Sequence, residues 1–344
     1  MAVIWISLIG CLTSFFTVYL VLHYSDQLGL IDIPTTRSSH EKPTPRGGGL
    51  GIIMALTVSL TIYFAVGHWG ADSRAFVGLI TGMLIVGFIG FLDDLRNLPL
   101  LVRLTSQLLA ATIAVIGIGQ LRSIDVPFLG ELHLGILAVP ISILWIIGIT
   151  NIYNFLDGID GLAAGEGVLA GGFLACIGVV AGNTSVGAIG VFIAAASLGF
   201  LLFNFPPAKV FMGDSGSTTL GFTFAATAII GSNSAANPIP LFIFVLLLSN
   251  FLVDAIFTLV KRIVRKERWY LAHKEHFYQQ AVSSGYSHRQ VTLFEYVLEL
   301  LLGVSAIIYV LCEDSVRISI LLLWIVIYAG LCIWLSFSGV LKAE

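Results

Sequence analysis

Residues 76–97 read FVGLITGMLIVGFIGFLDDLRN: seventeen residues without a charge, then two adjacent aspartates, Asp93 and Asp94. The uncharged stretch approaches the roughly 20 residues that a helix needs to cross a bilayer's hydrocarbon layer. It is apolar continuously rather than at every second residue, so it fits a spanning helix and not a barrel strand. Ten further apolar runs lie near 3–24, 48–66, 104–118, 134–150, 167–181, 186–203, 216–231, 239–260, 291–311 and 318–335. Composition agrees: 57% of the 344 residues are hydrophobic, 11% are charged, and mean hydropathy is +0.97. A soluble domain carries about 25% charged residues, so here the surface as well as the core must be apolar. The expected fold is all-α, a single membrane-embedded domain over residues 1–344 with about eleven spans.

Charge sets the expected orientation. Of the seventeen basic residues, all but Arg74, Arg122 and Arg317 fall in one set of loops: 25–47, 92–103, 151–166, 204–215, 261–290 and the tail. Basic residues gather on the cytoplasmic side, which places the N-terminus outside and the C-terminus in the cytoplasm. The start, MAVIWISLIG, has no basic region and no cleavage site follows, so it reads as a retained helix. A net charge of -3 with no block of one sign argues against a nucleic-acid partner. Cys11, Cys176, Cys312 and Cys332 lack metal-ligand spacing and read as small buried hydrophobes.

Chemistry concentrates in the cytoplasmic loops. Arg46 and Lys42 flank the prolines before the Gly47–Gly49 triplet, where bare amides at a helix start could cradle phosphate; a plain positive-inside turn is the alternative. Asp93 and Asp94 at a membrane edge need a compensating cation or donor, and Arg103 and Gln107 could share a face of the next helix. In NIYNFLDGIDG, Asn151, Asn154, Asp157 and Asp160 recur every third residue with no lysine or arginine nearby. A metal, a nucleotide, basic groups from elsewhere or a structural polar network could each answer them. Asp214 stands between glycines in GDSGS, without the P-loop spacing. The 261–290 loop joins a basic amphipathic segment, suited to anionic headgroups, to His273 and His276, which lack the H-E-x-x-H zinc pattern. His23, His68, His133 and His288 read as isolated. Carboxylates, cations and glycine-rich backbone on one membrane face form an inventory for Mg²⁺-assisted phosphoryl transfer, with Mn²⁺ as a substitute.

Five ordered strings, HEKPTPRGGG, DDLRN, NIYNFLDGIDGLAAG, FMGDSGS and HKEHFYQ, make the chain resemble the bacterial polyprenyl-phosphate N-acetylhexosamine-1-phosphate transferases. The resemblance implies transfer of a sugar 1-phosphate from a UDP-N-acetylhexosamine to undecaprenyl phosphate, with UMP released and Mg²⁺ required, in the bacterial cytoplasmic (inner) membrane. It implies catalytic roles for Asp93, Asp94 and Asp214, with Asp214 and Asp93 at the metal. It also implies nucleotide and diphosphate contacts from Asn151, Asn154, Asp157, Asp160, His273 and His276, and lipid-phosphate contacts from Lys42, Arg46 and Arg103. A homodimer embedded among membrane lipids is compatible with it. The spaced histidines point away from a muramyl-pentapeptide substrate and toward UDP-GlcNAc or a 6-deoxy N-acetylamino sugar of an O-antigen pathway. A lipid phosphatase and a transporter are the rivals. The transporter would need midplane polar groups, and Asp254 is the main acid within a run.

Overall fold

The chain folds as α1 (Ala2–Leu28), α2 (Gly49–Ala65), α3 (Ser73–Arg96), α4 (Leu100–Ile118), α5 (Ala138–Phe155), α6 (Leu162–Val180), α7 (Thr184–Asn204), α8 (Gly213–Ser232), α9 (Leu241–Leu247), α10 (Ser249–Val264), α11 (Phe277–Ser283), α12 (His288–Leu311) and α13 (Asp314–Phe337). This is a computed structural model, and it describes residues 1–33, 43–69, 72–268 and 275–337. Lys42 and His273 lie outside the described residues. Each of the eleven apolar runs coincides with helix. Among the described residues, eight helices are long and apolar enough to cross a membrane, or nine if α9 and α10, bent by 79°, count as one span. α2 is a shorter apolar helix of 17 residues. Outward side chains such as Leu101, Ile116, Leu144 and Val179 are exposed, as lipid-facing surface must be. The cysteines depart from expectation: Cys176 is exposed and the other three are half-buried.

The fold is not purely helical. Ile31–Asp32 (β1) pairs antiparallel with Thr44–Pro45 (β2), and Ser123–Val126 (β3) with Gly130–His133 (β4). Both are loop devices that periodicity over long windows does not reveal.

α8 is the central helix. Every residue from Ser215 to Gly231 is buried, against α2, α3, α5, α7 and α9. Its hydroxyls are answered internally: Thr218, Thr219, Thr223 and Thr227 donate to the carbonyls four residues back at 2.5–2.7 Å. A helix that never meets lipid needs no apolar circumference. Small residues let its neighbours approach. A Cβ at Gly90 of α3 would come within 2.6 Å of the Asp214 carbonyl oxygen, and one at Gly221 within 2.8 Å of Tyr153 on α5. These contacts align the C-terminal ends of α3 and α5 with the N-terminal end of α8. The opposite end is tied separately, with Asn183 donating to the Asn237 carbonyl and Asn233 to the Gln120 carbonyl.

Candidate active site

The glycine triplet does not leave its amides bare. Gly48 and Gly49 donate to the carbonyls of Phe211 and Met212, and a Cβ at Gly49 would overlap the Gly216 backbone. The triplet therefore splices the start of α2 onto the start of α8 instead of cradling phosphate. Arg46, just before it, lines a cavity of about 540 Å³ at this end of the bundle. Asp32, Asp94, Asn154, Asp157, Asp160, Asn204, Phe211 and Asp214 line it too, joined by Gln279, Val282 and Ser283 of α11. Loops far apart in sequence thus meet in one polar chamber.

Asp94 caps α8. Its Oδ1 accepts the Asp214 N–H at 2.9 Å and its Oδ2 the Ser215 N–H at 3.2 Å. A carboxylate there satisfies orphan donors and the positive end of the helix dipole. Gly213, at φ +72°, makes the turn, and a side chain would come within 2.5 Å of Asp94. Asp93 points elsewhere: one oxygen takes the Leu98 N–H, and the other lies 3.2 Å from Arg103 Nη1. The same nitrogen sits 3.3 Å from Asp214 Oδ2, so Arg103 bridges the two acids. Asn154 donates to that oxygen of Asp214 at 3.3 Å and accepts from Ser217 at 2.5 Å.

Helix α5 runs through Asn151 and Asn154 before breaking at Leu156, so the every-third spacing spans a helix end and a turn rather than one face. Asn151 faces α4, exchanging hydrogen bonds with Gln107 at 2.7 and 3.4 Å. Asp157 faces the cavity. Burial pushes its carboxyl up to about 8, with Asp214, Asp94 and Asp160 adding repulsion in that order. Asp160 accepts the Ala208 N–H at 2.9 Å and lies 3.2 Å from His288 Nδ1. His276 is buried away from the cavity: its Nδ1 is 2.9 Å from Asp254 Oδ1, whose other oxygen takes the Phe277 N–H. Asp254 is therefore the partner of a loop histidine. It is not the sole acid within the helices either, since Glu166 lies in α6 and Glu295 and Glu299 in α12. The basic segment after Val260 also turns inward in part: Arg262 is buried and pairs with Glu267 at 3.0 Å and with Glu275.

A second, smaller opening of about 50 Å³ lies between α3, α4, α5 and α8, lined by Leu100, Arg103, Leu104, Gln107, Asn151 and Phe155. It shares Asn154 and Asp214 with the large cavity. Leu100, Leu104 and Phe155 of its lining are exposed, an apolar approach.

The family model for glycosyl transferase family 4 matches residues 76–232, which hold the DDLRN, NIYNFLDGIDG and GDSGS strings. A probable undecaprenyl-phosphate N-acetylglucosaminyl 1-phosphate transferase of Bacillus subtilis is 31% identical over 93% of this chain and 88% of the relative. The chain belongs to glycosyl transferase family 4. A decaprenyl-phosphate N-acetylglucosaminephosphotransferase of Mycobacterium leprae is 30% identical, covering 85% of this chain and 80% of the relative. A phospho-N-acetylmuramoyl-pentapeptide-transferase of Halalkalibacterium halodurans is also 30% identical, over 78% and 85%.

The donor set of this glycosyl transferase family 4 protein fits a hard divalent cation. Asp157 and Asp214 line the cavity as acids that repel each other, with Arg46 in the same lining and Arg103 beside Asp214. Among the described residues no three His, Cys, Asp or Glu side chains form a ready cage. Magnesium needs none, being commonly held by one or two carboxylates and completed by substrate phosphates and water. Asp93, expected beside Asp214 at the metal, is outside the cavity lining with both oxygens engaged, whereas Asp157 is in it. Sequence reading missed His288, Asn204, Phe211 and the α11 residues as parts of the site. Ser287-His288-Arg289-Gln290 carries a capping-box signature, and the box is present. It would have put His288 at a helix start on the loop side of the bundle.

Proposed function

We propose that the protein transfers N-acetylhexosamine 1-phosphate from a UDP-sugar to undecaprenyl phosphate, giving the lipid diphosphosugar and UMP. The reaction would occur on the cytoplasmic face of a bacterial inner membrane, across which the chain would pass eleven times. One observation carries the reading: a polar chamber and a lipid-side cleft share the wall made by Asn154 and Asp214. A water-borne donor can enter one, a membrane-borne acceptor the other, and their phosphates meet at that wall.

An oxygen of the acceptor phosphate attacks the phosphorus bearing the sugar, and the bond from that phosphorus to the UMP oxygen breaks. The acceptor is a phosphate monoester with a second pKa near 6, so it arrives largely ionised and needs no strong base. Arg103, part-exposed on the cleft side, receives its charge. Asp93 orients Arg103, and Asp94 fixes the start of α8, where Asp214 sits. Both oxygens of Asp94 are held by backbone N–H groups, which favours direct displacement over an aspartyl-phosphate intermediate there. Asp157 and Asp214 would hold Mg²⁺ (or Mn²⁺), which supplies charge neutralisation for the donor diphosphate. Ile159, Asp160 and Phe211 in the chamber lining suit the nucleotide, since they offer an aromatic ring and hydrogen-bonding groups.

UDP-GlcNAc is the favoured donor, as two relatives are named for N-acetylglucosamine transfer. The product would then begin a cell-envelope glycan. The test is the purified full chain in detergent with undecaprenyl phosphate and Mg²⁺, following UMP release with UDP-GlcNAc, UDP-N-acetylfucosamine, UDP-N-acetylquinovosamine and UDP-N-acetylmuramoyl-pentapeptide. UDP-GlcNAc should turn over fastest. Faster turnover of a 6-deoxy sugar would move the assignment to an O-antigen pathway, and preference for the pentapeptide would move it to peptidoglycan. No UMP from any donor, with folded protein, would end the reading.

A further inference from the structure

Four side chains grip the turn between α5 and α6, three from α12 and one, Asn204, from the end of α7. Thr292 donates to the Asp160 carbonyl at 2.8 Å and Tyr296 to the Gly161 carbonyl at 2.6 Å, while Asn204 accepts the Gly161 N–H at 2.9 Å. The fourth is His288, with Nδ1 3.2 Å from Asp160 Oδ1. His288, Thr292 and Tyr296 recur every fourth residue, so one face of α12 holds the turn. The same His288 nitrogen lies 3.5 Å from the Asp160 backbone N–H, a contact at the limit of hydrogen bonding and requiring a bare nitrogen. Nδ1 thus sits against both the backbone N–H and the carboxylate of Asp160.

Of these four, only His288 reaches the Asp160 side chain. Asp160 Oδ2 is fixed by the Ala208 N–H from the loop that leads to Phe211, so His288 completes a brace running from α12 through Asp160 to the chamber wall. Without it the carboxylate would lose its tie to α12. We propose that His288 is a positioning residue for the nucleotide end of the donor site, acting through Asp160. It touches no reacting atom. This rests on the donor assignment above.

The geometry predicts which kinetic constant moves. Asp160 lies on the donor side of the shared wall and is absent from the cleft lining, so losing its brace should weaken donor binding and leave the chemical step nearly intact. The experiment uses the full chain in detergent and compares wild type, His288→Ala, His288→Asn, Asp160→Asn and the double variant His288→Ala/Asp160→Asn. Steady-state turnover is measured with UDP-GlcNAc, and calorimetric binding with UDP. For His288→Ala, KM and the UDP dissociation constant should rise about tenfold, the loss of one charge-assisted hydrogen bond, with kcat within about threefold. His288→Asn, whose amide can donate from nearly the place of Nδ1, should recover most of that loss. In the Asp160→Asn background, His288→Ala should add less than about twofold, because a residue acting through Asp160 has nothing left to act on. An undiminished His288 effect in that background would overturn the inference, as would a loss confined to kcat. An active wild type with His288→Ala indistinguishable from it would remove this inference alone. A wild type that neither turns over UDP-sugars nor binds UDP would remove the donor assignment and this inference together.

Discussion

Two groups of acids lie in this bundle, and their surroundings differ in kind. Asp94, Asp157 and Asp214 line the chamber and Asp93 stands beside it; they come from α3, the α5–α6 turn and α8, and meet Arg103, Arg46 and backbone N–H groups. Between α6 and α12, Glu166 and Glu299 lie within hydrogen-bonding reach of each other. Among the described residues nothing donates to Glu166 Oε1 or to either oxygen of Glu299. The first group opens to solvent, so an arriving cation and a diphosphate can answer its charge. The second is sealed away from solvent, so neither a cation nor a diphosphate can reach it. Acidic composition alone does not mark a site; access and the partners supplied by backbone do.

The same acid-to-amide change should therefore have opposite consequences in the two places. Asp214→Asn removes a carboxylate from the wall shared by both openings and from its pairing with Arg103. Turnover measured as UMP release should fall by about 10² to 10³ or more, the scale for one electrostatic stabiliser of a charged transition state. Chelation with excess EDTA should do as much to the wild type, with recovery on adding Mg²⁺. Transfer unaffected by thorough chelation would contradict the role given to Asp157 and Asp214.

Asp94→Asn tests whether the chamber's acids also have architectural work. The amide keeps one acceptor for the two N–H groups at the start of α8 and loses the charge at that helix end. A stability loss of about 1 kcal/mol is expected, the scale of a helix cap, read as a lower thermal midpoint in detergent. Asp214 rides on that turn, so turnover should fall about tenfold. Activity lost with no change in midpoint would instead indicate that Asp94 acts directly on substrate.

Much of this contrast was legible in the sequence. The runs fixed helix positions because lipid imposes a composition over some twenty residues, and glycine-flanked acids stood out against it. What the runs could not show was pairing. Asp93 and Asp94 are adjacent, yet one turns to Arg103 and the other to α8, because the last turn of a helix sends neighbouring side chains to different faces. His276 belonged by spacing with the site, and the fold gives it to Asp254. Glu295 and Glu299 were hidden by the opposite effect, since two acids in a long apolar helix barely change its hydropathy. The glycine triplet was seen and misread: its purpose depends on Gly216, far away in sequence.

Gly158→Ala separates packing from charge at the chamber floor. A Cβ there would overlap the Tyr278 hydroxyl, which donates to the Phe155 carbonyl at 3.1 Å and so ties α11 to the α5–α6 turn. The added methyl should displace Tyr278 and cost about 1–3 kcal/mol of stability, as overpacking does. Donor KM should rise, because Gln279, Val282 and Ser283 on the same short helix line the chamber. Adding Tyr278→Phe, which removes the obstructing hydroxyl, should relieve part of the loss.

Glu299→Gln is the smallest expected effect and the sharpest test of the comparison. The amide keeps the shape and polarity of the carboxyl it replaces, so packing beside Glu166 is retained. Turnover should stay within about twofold of wild type, and the thermal midpoint should hold or rise, since the amide removes a group that could ionise in a sealed place. Glu166→Gln should behave alike, whereas Glu299→Ala should destabilise by leaving a cavity beside Glu166. If Glu299→Gln lowered turnover as far as Asp214→Asn while the protein stayed folded, the sealed pair would be exchanging protons or ions with the chamber. The distinction between acids that face the chamber and acids sealed within the bundle would then fail.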